Sequence, residues 1–346
     1  MFEILGRKIG DGFEPYIIAE LSANHNGSII RAKESIRLAK CHGAHAVKLQ
    51  TYSADTMTID SNRSDFIVKG GLWDGRKLYD LYNEAALPFD WHNELFNYAK
   101  EIGITCFSTP FDESAVDLLE SLDAPAYKIA SFELTDIPLI KRVAKSQKPI
   151  LMSTGMASEA EIAEAIEAAR GGGCNSLLLF HCISSYPTPL EDANLSKILN
   201  LQKTFKLDVG LSDHTLGTAA TTISIALGAC AIEKHFTISR ADGGPDSAFS
   251  MEPSELGELV RQSKSAWLAL GSGEFARPAI EATSLAFRRS IYFVKNCKKG
   301  DLITHKNIRR IRPGYGLPPK YFDDLVGRVL NQDVSCGDPV SWDLIA

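Results

Sequence analysis

Two histidines, His214 and His235, each stand at the end of a short apolar, β-branched run, DVGLSD before the first and CAIEK before the second. Between the runs, TAATTISIALGA is small and apolar enough for a helix packed on a sheet. Parallel strands joined by a helix point the same way, so both imidazoles come to one end of a sheet. Either histidine alone reads as a polar residue at a strand end. As a pair among only eight histidines, flanked by charged and hydroxyl residues, they read as the beginning of a metal site. Two protein ligands leave a six-coordinate ion with open positions for water and substrate. That favours Mn²⁺, or the similar Mg²⁺ or Co²⁺, over structural zinc, which four protein ligands close.

The elements that must carry these residues follow a rhythm. Short apolar runs at 16–21, 46–50, 104–109, 126–131, 150–154, 176–182, 208–213 and 230–236 alternate with helical stretches. The helical stretches include RAKESIRLAKCHG, ESAVDLLESL, LIKRVAKSQ, EAEIAEAIEAARGGG and PSELGELVRQSKSAWLALG. Buried parallel strands alternating eight times with helices predict a (β/α)8 TIM barrel over residues 1–275. The alternative is an open doubly wound sheet, against which stand the count of eight and the absence of a glycine-rich dinucleotide loop. Residues 2–13 read as a small hairpin ahead of the barrel. Residues 51–89 interrupt the rhythm with a long insertion on the side where a barrel keeps its active site; it reads as a lid or substrate wall, or as a plain surface excursion. After a linker at 276–286, residues 287–346 read as short strands and turns. There Gly300-Asp301-Leu302-Ile303-Thr304 is echoed by Gly337-Asp338-Pro339-Val340-Ser341, so this module is expected to have two similar halves.

Reactive side chains cluster where the strands end. Strand one gives Glu20, then Ser22, Asn24 and His25; strand two gives Lys48 and Gln50; strand three Ser108 and Thr109; strand four Lys128, Ser131 and Glu133. Ser153 and Thr154 end strand five, and strand six runs into Ser184, Ser185 and Tyr186. Ser212, Asp213 and His214 end strand seven, and strand eight contains Glu233, Lys234 and His235. A charge inside an apolar strand needs a partner. A ring of them at one barrel mouth reads as a pocket for a polar, anionic ligand. Lys48 and Lys128 with the hydroxyls suit phosphate and carboxylate. Glu20 and Glu133 suit ordering water, holding a substrate hydroxyl, or acid–base work. A lysine Schiff base, as in an aldolase, is the competing chemistry for Lys48 or Lys128.

Bulk properties narrow the class. The 346 residues are 45% hydrophobic and 23% charged, an ordinary globular balance. A net charge of −6 speaks against nucleic acid as the main partner. No apolar run reaches membrane-spanning length, and the N-terminus lacks the pattern of a signal peptide. Seven scattered cysteines without a CxxC pair suit a reducing cytoplasm.

Taken in order, AEL-N-H (19–25), VKLQTY (47–52), AYKIAS-E (126–133), STGM (153–156), YPTP (186–189), GLSDHTLG (210–217), EKHF (233–236), GPDSAFS (244–250) and RPGYG (312–316) closely resemble the sialic acid (nonulosonate) synthase family. The tail resembles the antifreeze-like (SAF, β-clip) domain that ends those synthases. Within the family, AELSANHN, IVKGGLWDGRKLYDLY, CFSTPFD, SSYP, DSAFS and FRRSIY are most similar to the pseudaminic acid branch. Ser184 stands where N-acetylneuraminate synthases tend to have asparagine. The resemblance implies condensation of phosphoenolpyruvate with an N-acylated amino sugar, 2,4-diacetamido-2,4,6-trideoxy-L-altrose for that branch, with the neuraminate and legionaminate reactions as alternatives. Carried over by motif, His214 and His235 would ligate the metal, and Glu20 and Glu133 would hold water and substrate. Lys48, Gln50, Thr109, Lys128, Ser131, Ser153, Tyr186 and Ser212 would bind phosphoenolpyruvate and phosphate. Asp246 and Phe287 would face the sugar, and Arg312 would reach a site from the tail. The implied assembly is a homodimer with the C-terminal domain swapped onto the partner. A non-catalytic carbohydrate-binding protein, suggested by the tail alone, fits the ring of His, Lys and Glu poorly.

Overall fold

The computed structural model describes every residue, Met1–Ala346. The chain divides into two compact units, Met1–Gly271 and Ser272–Ala346. In the first, a hairpin of Phe2–Ile4 (β1) and Arg7–Ile9 (β2) precedes eight strands. These are Tyr16–Glu20 (β3), Ala46–Thr51 (β4), Thr105–Pro110 (β5), Tyr127–Ile129 (β6), Ile150–Ser153 (β7), Leu177–Cys182 (β8), Asp208–Asp213 (β9) and Ala231–His235 (β10). Each lies parallel to the next, and β10 closes on β3. The sheet is therefore a closed eight-stranded barrel, with no edge left unpaired as an open sheet would leave. The register sets Glu20 beside both His235 and Lys48.

Alternation along the strands divides the core into two shells. Ile17, Ala19, Val47, Leu49, Ile129, Leu179, Leu211 and Ile232 face the surrounding helices. Ile18, Ala46, Phe107, Leu151, Leu178, Phe180 and Ala231 fill the barrel interior, joined by Phe2, Ile4 and Ile9 of the hairpin. This apolar layer is the floor on which the polar mouth rests. Burying each such large side chain stabilises the fold by roughly 1.5–3 kcal/mol.

The helices begin where their sequences allow. Ser158 and Glu161 form a reciprocal capping box at the start of Glu159–Gly171, Asp112 caps Glu113–Ser121, and Ser28 caps Ile29–Cys41. Lys197–Phe205 forms a further helix although its Ser196 makes no side-chain cap. The insertion contains helix Leu78–Ala85 and a small loop closed by an Ile67–Lys77 bridge.

Two residues in the expected mouth ring, Asp213 and Lys234, face the other way. They share the outward parity of Leu211 and Ile232. Lys234 Nζ donates to Asp213 Oδ2 (2.8 Å) and to the carbonyls of Thr215 (2.7 Å) and Gly217 (2.9 Å), using all three ammonium hydrogens. Asp213 also accepts from Thr215 and Thr221. This buried pair fastens β9 to β10 behind the two histidines.

In the second unit, Ser290–Phe293 (β11) pairs antiparallel with Ile308–Ile311 (β12) over a core including Ile291, Phe293, Ile303, Leu325 and Val340. The sequence echo is structural. Asp301 accepts from the Lys298 backbone N–H and Asp338 from that of Ser335, each at 2.7 Å. The two turns meet where Cys297 and Val334 exchange backbone hydrogen bonds.

Replacing Lys234 by methionine leaves Asp213 buried without its cation. The expected cost is about 3–5 kcal/mol of folding stability, read from urea unfolding; a loss below about 1 kcal/mol, the range of an exposed pair, would contradict a locking role for this pair.

Candidate active site

The inward-facing polar residues form one connected network above the apolar floor. Lys48 Nζ lies 2.7 Å from Glu20 Oε2 and 3.6 Å from Glu233 Oε1, and donates to Thr109 Oγ1 at 2.9 Å. Lys128 Nζ donates to Glu233 Oε1 at 3.2 Å and stands 5.2 Å from the centroid of the Phe180 ring. Ser212 Oγ donates to the same Glu233 oxygen at 3.3 Å. Glu233 is thus the hub of the ring. It stood in the strand-eight run but was not among the residues assigned a role. The signal for it was its place two residues before His235, on the same strand face.

Burial and charge pull these groups in opposite directions. Burial pushes the Glu20 carboxyl up to about 7, against the attraction of Lys48. Burial would also raise Glu233, but Lys128 and Lys48 outweigh it and hold its carboxyl below the ordinary range. Lys128 is lowered by burial despite Glu233. Lys48 is raised, because Glu20 and Glu233 outweigh its burial.

A second chain of hydrogen bonds leaves Glu20 along the mouth. Gln50 Nε2 donates to Glu20 Oε1 and to Ser22 Oγ, each at 3.0 Å, and Ser22 Oγ donates to Asp246. The Ser22 N–H also donates to Glu20 Oε1 at 3.1 Å. Gln50, expected on the phosphoenolpyruvate side, is therefore joined to Asp246, expected on the sugar side.

The two histidines meet as their spacing predicted. Their ring centroids are 5.4 Å apart. His214 Nδ1 pairs with the Ile183 carbonyl at 2.8 Å. That fixes the proton on Nδ1 and leaves Nε2 as the nitrogen that could ligate a metal. Burial would lower His214, but neighbouring Cys182 and the Ile183 carbonyl raise it, so a metal ion would bind there in competition with a proton. Burial and His214 drive His235 well below its ordinary value, so its imidazole is neutral, and its buried Nδ1 has no partner. A neutral imidazole with an orphaned nitrogen beside a second, oriented imidazole suits a divalent ion. No group of three or more His, Cys, Asp or Glu side chains converges on a metal position.

At the ends of β6, β7 and β8, serine hydroxyls gather around Gly155 in a cradle that could hold an anion. Ser131 Oγ accepts from Gly155 N–H at 3.1 Å. Ser153 Oγ is buried without a partner. A Cβ at Gly155 would fall 2.4 Å from Ser184 Oγ and 2.7 Å from Ser131 Oγ, so this position needs glycine for close approach. Glu133 follows Ser131 in a short turn; burial pushes its carboxyl up to about 7, and its Oε2 is a buried orphan.

Aromatic rings flank the histidines. Tyr186 lies 4.3 Å from His214 and 5.2 Å from Phe249, Phe249 lies 4.9 Å from His235, and Trp73 of the insertion lies 5.8 Å from Tyr186. The insertion thus forms a wall of the site, one of the two expectations for it, and Phe249, which the sequence marks only within the DSAFS motif, joins Trp73 there. Ser108, by contrast, faces outward with Thr51 and His92. Phe287 and Arg312 belong to the second unit, where both are exposed.

The model of the NeuB family matches residues 35–275, and that of the SAF domain matches residues 288–346. The chain belongs to the NeuB family. Among its NeuB-family relatives, a pseudaminic acid synthase of Campylobacter jejuni is 43% identical over 93% of this chain and 94% of its own length. A pseudaminic acid synthase of Helicobacter pylori is 42% identical over 95% of this chain and 97% of its own. The crystal structure of an N-acetylneuraminic acid synthetase from Leptospira borgpetersenii superposes with a TM-score of 0.74 at 30% identity, covering 82% of this chain and 94% of that one. The NeuB family is the same sialic acid synthase family that the motifs resemble.

Filling the cradle tests its role. Gly155→Ala is expected to weaken inhibition by free phosphate at least about tenfold, about 1.4 kcal/mol, as measured by competition against turnover; an unchanged inhibition constant would place the anion elsewhere.

Proposed function

We propose that this chain condenses phosphoenolpyruvate with 2,4-diacetamido-2,4,6-trideoxy-L-altrose, releasing phosphate and forming pseudaminic acid. The observation that carries the reading is the juxtaposition of an oriented imidazole pair with a buried lysine–glutamate ring and a group of serine hydroxyls at one barrel mouth. The likeness to pseudaminic acid synthases over nearly the whole chain supports the choice of sugar.

His214 and His235 would hold a divalent ion, Mn²⁺ on this reading, which when bound supplies Lewis-acid polarisation of the aldehyde oxygen. Lys48 and Lys128 clamp the carboxylate and phosphate of phosphoenolpyruvate, with Ser131, Ser153 and Gly155 around the phosphate. This clamp holds C3 of the enol against the aldehyde carbon. A C–C bond forms between them as the C2=C3 π pair attacks and the aldehyde π bond breaks, leaving an alkoxide on the sugar and C2 cationic. Water then adds to C2, and its proton passes to the Glu133 carboxylate. The C2 hydroxyl of the resulting tetrahedral centre gives its proton to the sugar alkoxide as the C2–O bond breaks, C2 becomes a ketone, and phosphate leaves with the bridging oxygen and the proton held by Glu133. Gln50, Ser22 and Asp246 orient the sugar. Burial lowers Lys128, a direction that also suits a Schiff base, but its ion pair with Glu233 and its place over Phe180 fit a clamp, and the imidazole pair has no place in Schiff-base chemistry.

Arg312 acts in trans on this reading, in a homodimer whose C-terminal units are exchanged and which works in the cytoplasm. No helix is long and apolar enough to cross a membrane.

Phosphate release from phosphoenolpyruvate, measured with each candidate sugar, tests the substrate: release is expected with the trideoxy sugar, and release with N-acetylmannosamine alone would overturn it. In His214→Ala and His235→Ala, Mn²⁺ binding by calorimetry is expected to weaken by at least about 10–100-fold with the barrel still folded; unchanged affinity in both would remove the histidines from the metal site. Glu133 acts as a base only when ionised, so kcat is expected to rise with pH through about 7. Glu133→Gln should lose that limb along with most of the activity, and a retained limb would exclude Glu133. Mixing Arg312→Ala with His235→Ala subunits should restore some activity, whereas no recovery after verified subunit exchange would argue against a shared site.

A further inference from the structure

We propose that Trp73 is a specificity-determining residue: its ring receives a deoxygenated, methyl-bearing part of the sugar and disfavours an analogue carrying a hydroxyl there. The proposal rests on the function proposed above and deepens it.

The mouth has two unlike sides. One is polar, where Ser22 and Asp246 are hydrogen-bonded through Gln50 to Glu20. The other is aromatic, formed by Trp73, Tyr186 and Phe249. Trp73 has a single polar atom, the indole N–H, and this already donates to the Pro245 carbonyl at 3.0 Å. What remains of the side chain is ring surface with no donor or acceptor to offer. A hydroxyl turned toward it would give up water and gain no partner, while a methyl group would gain contact.

Trp73 sits in the loop closed by the Ile67–Lys77 bridge, with further backbone bonds between Val68 and Arg76 and between Gly75 and Val68. The Pro245 bond ties this loop to the segment following β10 and fixes the ring's place. Trp73 meets Tyr186 at a tilt and Phe249 edge-on, and it is these two that contact the imidazoles. It therefore meets a part of the sugar remote from the reacting aldehyde. Such contacts show in kcat/KM for the sugar and leave the KM for phosphoenolpyruvate unmoved.

The experiment compares kcat/KM for the 6-deoxy sugar and its 6-hydroxy counterpart in the wild type, Trp73→Phe and Trp73→Gln. An apolar wall rejects an added hydroxyl by on the order of 10–100-fold. The wild type is expected to show a preference of about that size, Trp73→Phe to retain most of it, and Trp73→Gln to lose most of it, with the KM for phosphoenolpyruvate unchanged in all three. A preference undiminished in Trp73→Gln, or turnover of both sugars lost equally in Trp73→Phe and Trp73→Gln, would overturn the proposal. If the wild type turns over only N-acetylmannosamine, the proposed substrate falls. The same ratio is then read with N-acetylmannosamine and its 6-deoxy derivative, so the role of Trp73 is decided separately from the identity of the sugar.

Discussion

The pairing of Lys48 and Lys128 with Glu20 and Glu233 is the constraint on which the barrel mouth depends. All four side chains are buried above a layer that includes Phe107, Phe180 and Ile18. Ions in such surroundings are tolerable only when paired and hydrogen-bonded, because desolvating one alone costs several kcal/mol. Thr109 and Ser212 supply those added bonds. The ring leaves the cradle hydroxyl of Ser153 and the Nδ1 of His235 without partners. Glu20 Oε2 meets Lys48 Nζ at 2.7 Å, while Glu233 Oε2, like those two neighbours, has no hydrogen-bond partner within the protein.

The strands hold this arrangement from both faces. On the inside, Glu233 and His235 occupy alternate positions of β10 and both point into the mouth. On the outside, Lys234 between them binds Asp213, the last residue of β9, which itself lies between Ser212 and His214. A one-residue slip would exchange the two faces, burying Lys234 in the mouth and turning the imidazoles out. The outward pair therefore secures the register that the inward residues need.

Much of this was legible in the chain because strand periodicity is strict. Eight apolar runs gave the barrel, and the histidines at the ends of the last two runs gave the imidazole pair. Position alone did not separate Lys234 from Glu233, because the run AIEKH shows which residues are charged and not which face each takes. Parity counted from His235 would have made that division. That the insertion could form a wall was legible from its place after the second strand, but the contact of Trp73 with Tyr186 and Phe249 was not, since an insertion with no repeating period does not announce where its tip returns. The helix Lys197–Phe205 lacks a capping side chain and is short and polar, so its fold depends on packing Ile198 and Leu201 against the barrel. Roles for Phe287 and Arg312 came from resemblance and not from any pattern in the residues around them.

The proposed reaction needs a clamp for phosphoenolpyruvate and the Glu133 carboxylate as the base for water adding at C2. Its most direct test uses phosphoenolpyruvate labelled with ¹⁸O at the oxygen bridging C2 and phosphorus, turned over with the trideoxy sugar. If water adds at C2 and the C2–O bond breaks, the label leaves in inorganic phosphate. If the label stays in the sugar acid, water has attacked phosphorus, and the roles assigned to Glu133 and the lysine clamp are wrong.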